Sequence, residues 1–312
     1  TKNKSLDDGK VLSQRLRASQ QRLAEAQELA KLGSWVLDTE TGHIDCSDEA
    51  RRIYGFTSTA EKLTLARLMA LVPAVQRTGL QETIQRAAQG DAPLELEHRV
   101  NTPDGADRWV HVTFQGSVQN EVTTVRAAVR DKTANKKSAL RLALAHDVAQ
   151  QLAADVEPES AIAFILSSIG ARMDWAAAVC WGVDGDSQVR CLSSWSASDD
   201  APSNEFSAAM TVFSGPRPDA NLDAAWVAGN PLWRTIHGTE LSHVRDQFAA
   251  RCSLNAAVVI PVVAGAQLLA LEFFTHAQMA IDHEIEDFMR SIGSQLAQYL
   301  RRKQAEAALR HS

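Results

Sequence analysis

An α+β fold in two domains, each a central antiparallel sheet flanked by helices, is what the sequence predicts, and three observations predict it. The chain has 312 residues, room for two domains of ordinary size. Strand-like runs fall in two groups, one ending at Arg130 and one opening at Trp175. Around them lie stretches nearly free of Gly and Pro, with apolar residues at helical spacing. Composition agrees: 45% hydrophobic and 22% charged residues, with 16 Gly and 9 Pro, exclude a disordered or collagen-like chain.

The elements follow in order. Lys10 to Lys31 carries Leu12, Leu16, Leu23, Ala26 and Ala30 on a narrow stripe, which predicts a long helix that meets another helix. Gly33 ends it. Trp35–Asp38 and His43–Ser47 around Thr41-Gly42 read as a hairpin, and Ser47-Asp48 caps a short helix reaching Tyr54. Periodicity makes Leu63–Leu71 and Leu80–Ala88 helical. Three strands follow, Leu94–Val100, Arg108–Gln115 and Val118–Val129, with turns at Pro103-Asp104-Gly105 and at Gly116. A helix from Thr133 to Ala154 stops at Glu157-Pro158, and Ile162, Ile165 and Ile169 mark the next. Strands Trp175–Val183 and Val189–Ser196 precede a polar stretch, Ala197–Asn221, read as loop around a short helix. Ala256–Val263 and Gln267–Thr275 are almost continuously apolar, so they are central strands. The last helix, Asp282 to Leu309, carries Ile285, Phe288, Ile292, Leu296 and Tyr299 on one stripe. The expected division is a connector helix at 1–31, a first domain at 32–132, a linker helix at 133–157, a second domain at 158–281 and a terminal helix at 282–312.

A net charge of −6, from 38 acidic and 32 basic residues, gives no cationic surface for phosphates, so nucleic acid is not expected as a partner. Cys46, Cys180, Cys191 and Cys252 stand apart without a C-x-x-C pair, which argues against a zinc site or disulfide framework and for a reducing, cytoplasmic setting. No apolar run reaches the roughly 18–20 residues of a membrane span, and Thr1–Asp8 is not a signal peptide, so no membrane contact is expected within this segment.

Two resemblances sharpen this reading. Ala26–Trp35, Thr41-Gly42, Ser47-Asp48, Ile53-Tyr54-Gly55-Phe56, Leu96–Val100, Asp104-Gly105, Arg108-Trp109-Val110 and Val129–Thr133 together resemble a PAS sensor domain. The second half, through Trp181, Trp195, Ala225–Trp233, Ile260-Pro261-Val262, Leu271–Phe274 and Ile292–Leu296, is similar to GAF domains of bacterial signalling proteins. It departs from that pattern before Ala225, where Asp219–Asp223 replaces a glycine-rich stretch. The resemblances imply a sensory fragment whose output, a histidine kinase or a cyclic-di-GMP enzyme, follows Ser312. They also imply a homodimer built on the connector helices, which pass on the state set by a small-molecule ligand or partner.

Catalytic motifs are not found, so this segment is not expected to be an enzyme. His146, in Ala145-His146-Asp147, reads as a polar position on a connector helix rather than a phosphoacceptor. The nine His and four Cys never take metal-ligand spacing, and no cofactor is expected: the pattern argues against haem. Cys46 lacks the Asn-Cys-Arg setting of a flavin photosensor, and Cys180, Cys191 and Cys252 lack the neighbouring His expected where a bilin attaches. Five of seven Trp lie in the second half. If that domain takes a ligand, the expected site lies between its sheet and Asn221–His237, with Trp195, Trp226 and Trp233 nearest and Arg245 as anion partner. Arg234, His237 and Arg251 are further cationic candidates.

Overall fold

The computed structural model describes residues 31–56, 62–90, 92–119, 122–184, 186–216, 220–236, 244–277 and 282–310. The chain divides into two compact units between Ser138 and Ala139. Residues 10–30 of the predicted first helix lie outside the described residues.

In the first unit, β1 (Leu32–Asp38), β2 (His43–Cys46), α1 (Asp48–Ile53), β3 (Leu63–Thr64), α2 (Leu65–Leu71), α3 (Ala74–Ala88), β4 (Leu94–Asn101), β5 (Asp107–Gln119) and β6 (Val122–Asp131) follow in order. The strands make one antiparallel sheet, β3-β2-β1-β6-β5-β4. Alternation puts Trp35, Leu37, Val110, Val112, Phe114, Val125 and Val129 into a core with Ile53, Leu80 and Ile84 from the helices. Ser47 joins sheet to helix: its hydroxyl accepts from Ala50 N in α1 and from Ser34 N in β1. The approach is so close that a Cβ on Gly33 would lie 2.6 Å from Ala50 Cα. Two expectations are corrected here. Leu63 and Thr64 pair with β2, so the helix read from Leu63 begins at Leu65. Gly116 is not a turn; β5 runs through it, and glycine is needed because a Cβ there would sit 1.9 Å from the carbonyl oxygen of Ala87, in the last turn of α3.

Helix α4 (Thr133–Ala153) leaves this sheet directly. Thr133 N donates to Asp131 Oδ1, its hydroxyl accepts from Trp109 N, and Lys136 pairs with Glu97 at 2.5 Å.

The second unit adds α5 (Pro158–Arg172), β7 (Ala177–Val183), β8 (Gln188–Ser196), α6 (Ala201–Thr211), β9 (Ser214–Pro216), α7 (Ala220–Ala228), β10 (Leu232–Thr235), α8 (Val244–Arg251), β11 (Ala256–Ala264), β12 (Gln267–Thr275) and α9 (His283–Arg310). Its antiparallel sheet runs β10-β11-β12-β7-β8-β9. Apolar β11 and β12 lie inside it, and their alternate residues feed two cores. Val258, Ile260, Leu271 and Phe273 meet Leu144 and Val148 of α4, Ile165 and Ile169 of α5, and Ile292 and Leu296 of α9. Ala257, Val259, Ala270 and Phe274 meet Phe206 and Met210 of α6, Leu222 and Trp226 of α7, and Ala249 of α8.

The stretch expected as loop around a short helix holds α6, eleven residues long, then edge strand β9 and the start of α7. Phe206 and Met210, four residues apart, bury the inner face of α6; Ser and Ala around them mask that periodicity. Along the opposite face, Arg141 pairs with Glu284 near the start of α9 and Lys303 with Asp155 beyond the end of α4, so these two helices run in the same direction.

Candidate functional site

The face of the second sheet under α6, α7 and α8 carries a chain of buried ionic groups. Glu272 stands in the middle of β12 between Leu271 and Phe273 with no exposed surface. Its neighbours across the sheet are Val259 and Val179, so nothing on adjacent strands supplies a charge. Three side chains reach it from farther off, one by a hydrogen bond and two as ion pairs. Trp181 of β7 donates its indole N–H to Oε2 at 2.7 Å; Arg234 of β10 brings Nη2 to 2.9 Å from Oε1; Arg245 of α8 holds Nε 3.6 Å from Oε2. Arg234 also grips Asp246 of α8 with two donors, at 2.9 and 3.1 Å. The Arg245 guanidinium lies 4.9 Å from the centre of the Trp181 ring. Two cations and two anions balance, which burial demands, since an unpaired charge there would cost several kcal/mol. Arg234 and Asp246 are fork-to-fork, the strongest geometry open to such a pair.

The four residues expected around a ligand divide between the two faces. Arg245 and Trp226 belong to the ionic face; Arg245 is 1% exposed, and the anion it meets is the chain's own Glu272. Trp226 packs in the same core and donates its N–H to Leu269 O at 2.7 Å. Trp195 and Trp233 pack on the opposite face, where a Cβ on Gly170 of α5 would strike the Trp195 ring at 2.3 Å and Trp233 lies 6.5 Å from Trp175. One cavity cannot be lined by all four. Arg234 joins the network, Arg251 stacks 5.0 Å from the Phe248 ring, and His237 lies outside the described residues. Glu272 and Asp246 were not singled out from sequence, though a lone carboxylate within an apolar run predicted to be central was the available signal.

The first unit holds its own buried polar group. His98 of β4 points into the core beside Val100, is 1% exposed, and among the described residues neither ring nitrogen has a hydrogen-bond partner. Burial alone pushes its pKa down to about 4. Burial also raises the Cys46 and Cys191 thiols to about 11, which leaves both protonated and weakly nucleophilic at neutral pH. Among the described residues no group of three His, Cys, Asp or Glu is placed to hold a metal ion. Among them too, no helix is long and apolar enough to cross a membrane.

The sequence comparisons fit this architecture. A family model described as PAS fold matches residues 43–127, from β2 into β6. The first unit has a PAS fold. Relatives of this chain include a blue-light-activated histidine kinase of Brucella ovis, 32% identical over 135 residues, and one of Brucella anthropi, 29% identical over 128. These matches cover 43% and 41% of this chain and 27% and 26% of the relatives, so the chain spans about a quarter of their length. Among solved structures, a phycocyanobilin-bound GAF domain from a cyanobacterial phytochrome aligns with 53% of this chain and 96% of its own at 10% identity and a TM-score of 0.45. A sensory box histidine kinase/response regulator from Burkholderia thailandensis aligns with 39% and 94% at 21% identity and a TM-score of 0.33. The second unit has the central antiparallel sheet flanked by helices that its GAF resemblance implies, with six strands and with helices on both faces rather than one.

Proposed function

We propose that this chain is the sensory module of a signal-transduction protein, in which a ligand or partner engages the ionic face of the GAF-like unit and helices α4 and α9 pass the change to an output enzyme. The buried network carries the reading. It spans a strand at the edge of the sheet, two inner strands and α8, so a ligand that displaces α8 must break Arg234–Asp246 and Arg245–Glu272 together. That makes a two-state element, whose populations a differential affinity of a few kcal/mol suffices to invert. Trp226 and Arg245 are the predicted ligand-side residues retained on this face. The relatives' names favour a histidine kinase as the output, and pairing of connector helices between two copies gives the expected homodimer. Native mass spectrometry of the purified chain tests both points: a co-purified small molecule and a two-chain mass are expected, and a bare monomer contradicts the reading. Quenching of Trp181 and Trp226 fluorescence by a bound ligand, reduced in Trp226→Phe, places it on this face.

A second reading has one support: the relatives are named for blue-light activation. Under it the PAS unit holds a chromophore in its core. A visible absorbance band in the purified chain would establish that reading, and a spectrum of tryptophan and tyrosine alone would end it.

A further inference from the structure

His276, the residue after β12, is held by its two ring nitrogens. Nδ1 lies 2.9 Å from the carbonyl oxygen of Ser253, and Nε2 lies 2.5 Å from Asp200 Oδ2. Both partners are acceptors. A neutral imidazole has one N–H and can satisfy one of them; only the imidazolium donates to both. Asp200 is itself fixed, because it precedes α6 at the N-cap position and accepts from the hydroxyl of Ser203, which is fully buried. The backbone adds a further tie, with Asn255 Nδ2 donating to His276 O at 2.6 Å.

The place of this clasp gives it a consequence. Helix α6 carries Phe206 onto Phe274 of β12, with ring centres 4.7 Å apart. Phe274 stands midway between His276 and Glu272 on the same stretch of chain. Fastening the start of α6 to the end of β12 therefore closes α6 over the face that holds the ionic network. We propose that protonated His276 is a pH-sensitive latch that holds α6 shut over this face. The latch goes beyond the sensory reading, since it acts whether or not a ligand occupies the site.

Other ionisable groups stand around the clasp. On the α6 side stand Asp200 and Glu205; on the α8 side stand Arg251 and Cys252, which these groups influence. Burial raises the Cys252 thiol, so it stays neutral. Burial acts to lower the pKa of His276, but its bonds to Asp200 and to Ser253 outweigh that and leave it raised. For Asp200 burial acts upward, and the Ser203 and His276 bonds outweigh it and leave it lowered. The sign follows: the latch is complete below the ordinary histidine value of about 6.5 and is lost as pH rises through the raised one. On the acid side it fails only as pH falls through the lowered value of Asp200.

Hydrogen exchange of the full chain from about pH 6 to about pH 8.5, corrected for intrinsic rates, tests this. Amides of 201–211 should lose protection about two- to fivefold relative to 256–264, the size a partly exposed ion pair gives. His276→Gln should hold α6 at its high-pH protection throughout. In Asp200→Asn the His276 ring, followed by NMR, should titrate at a lower pH than in the unaltered chain. A pH profile of α6 unchanged by His276→Gln overturns the proposal, as does a His276 that titrates at or below the ordinary value in the unaltered chain. If His276→Gln does not fold, the NMR titrations of the unaltered chain and Asp200→Asn decide alone.

Discussion

Arg234 holds two carboxylates at once, Asp246 and Glu272, both within 3 Å of its Nη2. Arg234→Met keeps the stem and removes the charge, so both anions lose a partner in a site where Glu272 has no access to water. The expected cost is about 3–5 kcal/mol of unfolding free energy, measured by urea denaturation. His98 works in the opposite sense. Its ring is buried without a described partner, so His98→Leu should stabilise the PAS unit by about 1 kcal/mol or more. The depressed pKa gives a pH dependence with a definite sign. The folded state resists protonation of His98 down to about 4, whereas the unfolded chain accepts a proton from about 6.5. Stability is full above about pH 6.5 and falls as pH drops towards 4, and in His98→Leu that loss should vanish from acid titrations followed by circular dichroism. Neither residue announces its role in the sequence. Arg234 could be named as a cation but not paired, because its partners lie 12 and 38 positions away and the pairing is set by the fold. His98 sits in a strand whose alternation, Leu96, His98, Val100, does place it inside, yet a polar residue at an inward position reads equally as the start of a site or as a tolerated exception.

Elements were more legible than residues, and where the reading failed a local cause can be named. Alternation and turn residues located the hairpin β1–β2 and the longer strands of both sheets, since a half-buried strand must alternate and a continuous apolar run must be covered twice, whereas the short edge strands β3, β9 and β10 were not read as strands. Glycine misled at residue 116. A glycine between strand-like runs reads as a turn, but the same residue is demanded wherever another backbone comes too close for a Cβ, and sequence does not separate the two uses. Gly116→Ala should accordingly cost about 3 kcal/mol or more, because the obstacle is the Ala87 carbonyl, part of a helix backbone that cannot turn aside. Gly170→Ala meets a side chain, the Trp195 ring, which has somewhere to go. A smaller loss of about 1–3 kcal/mol is expected, together with a shifted tryptophan emission. Helix α6 was under-read for a different reason: its buried positions are few, and Ser203 and Ser207, both buried, look like surface in a hydropathy pattern.

At the scale of the whole molecule, two compact units, each with its own buried residues, predict two cooperative unfolding events. Gly116→Ala and Arg234→Met lie in different units, so in calorimetry each should lower one transition and leave the other in place; a single transition lowered by both would contradict this. The ionic face also bears on how the second unit reaches its fold. Strand β12 sends Leu269, Leu271 and Phe273 to one side and Ala270, Glu272 and Phe274 to the other. Its apolar residues are nearly interchangeable between the sides, and for them a slip of one position against β11 or β7 would cost little. Glu272 is not interchangeable. A slipped strand would carry its carboxylate among Ile165, Ile292 and Leu296, away from Arg234, Arg245 and Trp181. A single acidic side chain thus proofreads the alignment of two largely apolar inner strands, and a misaligned sheet is rejected during assembly rather than tolerated.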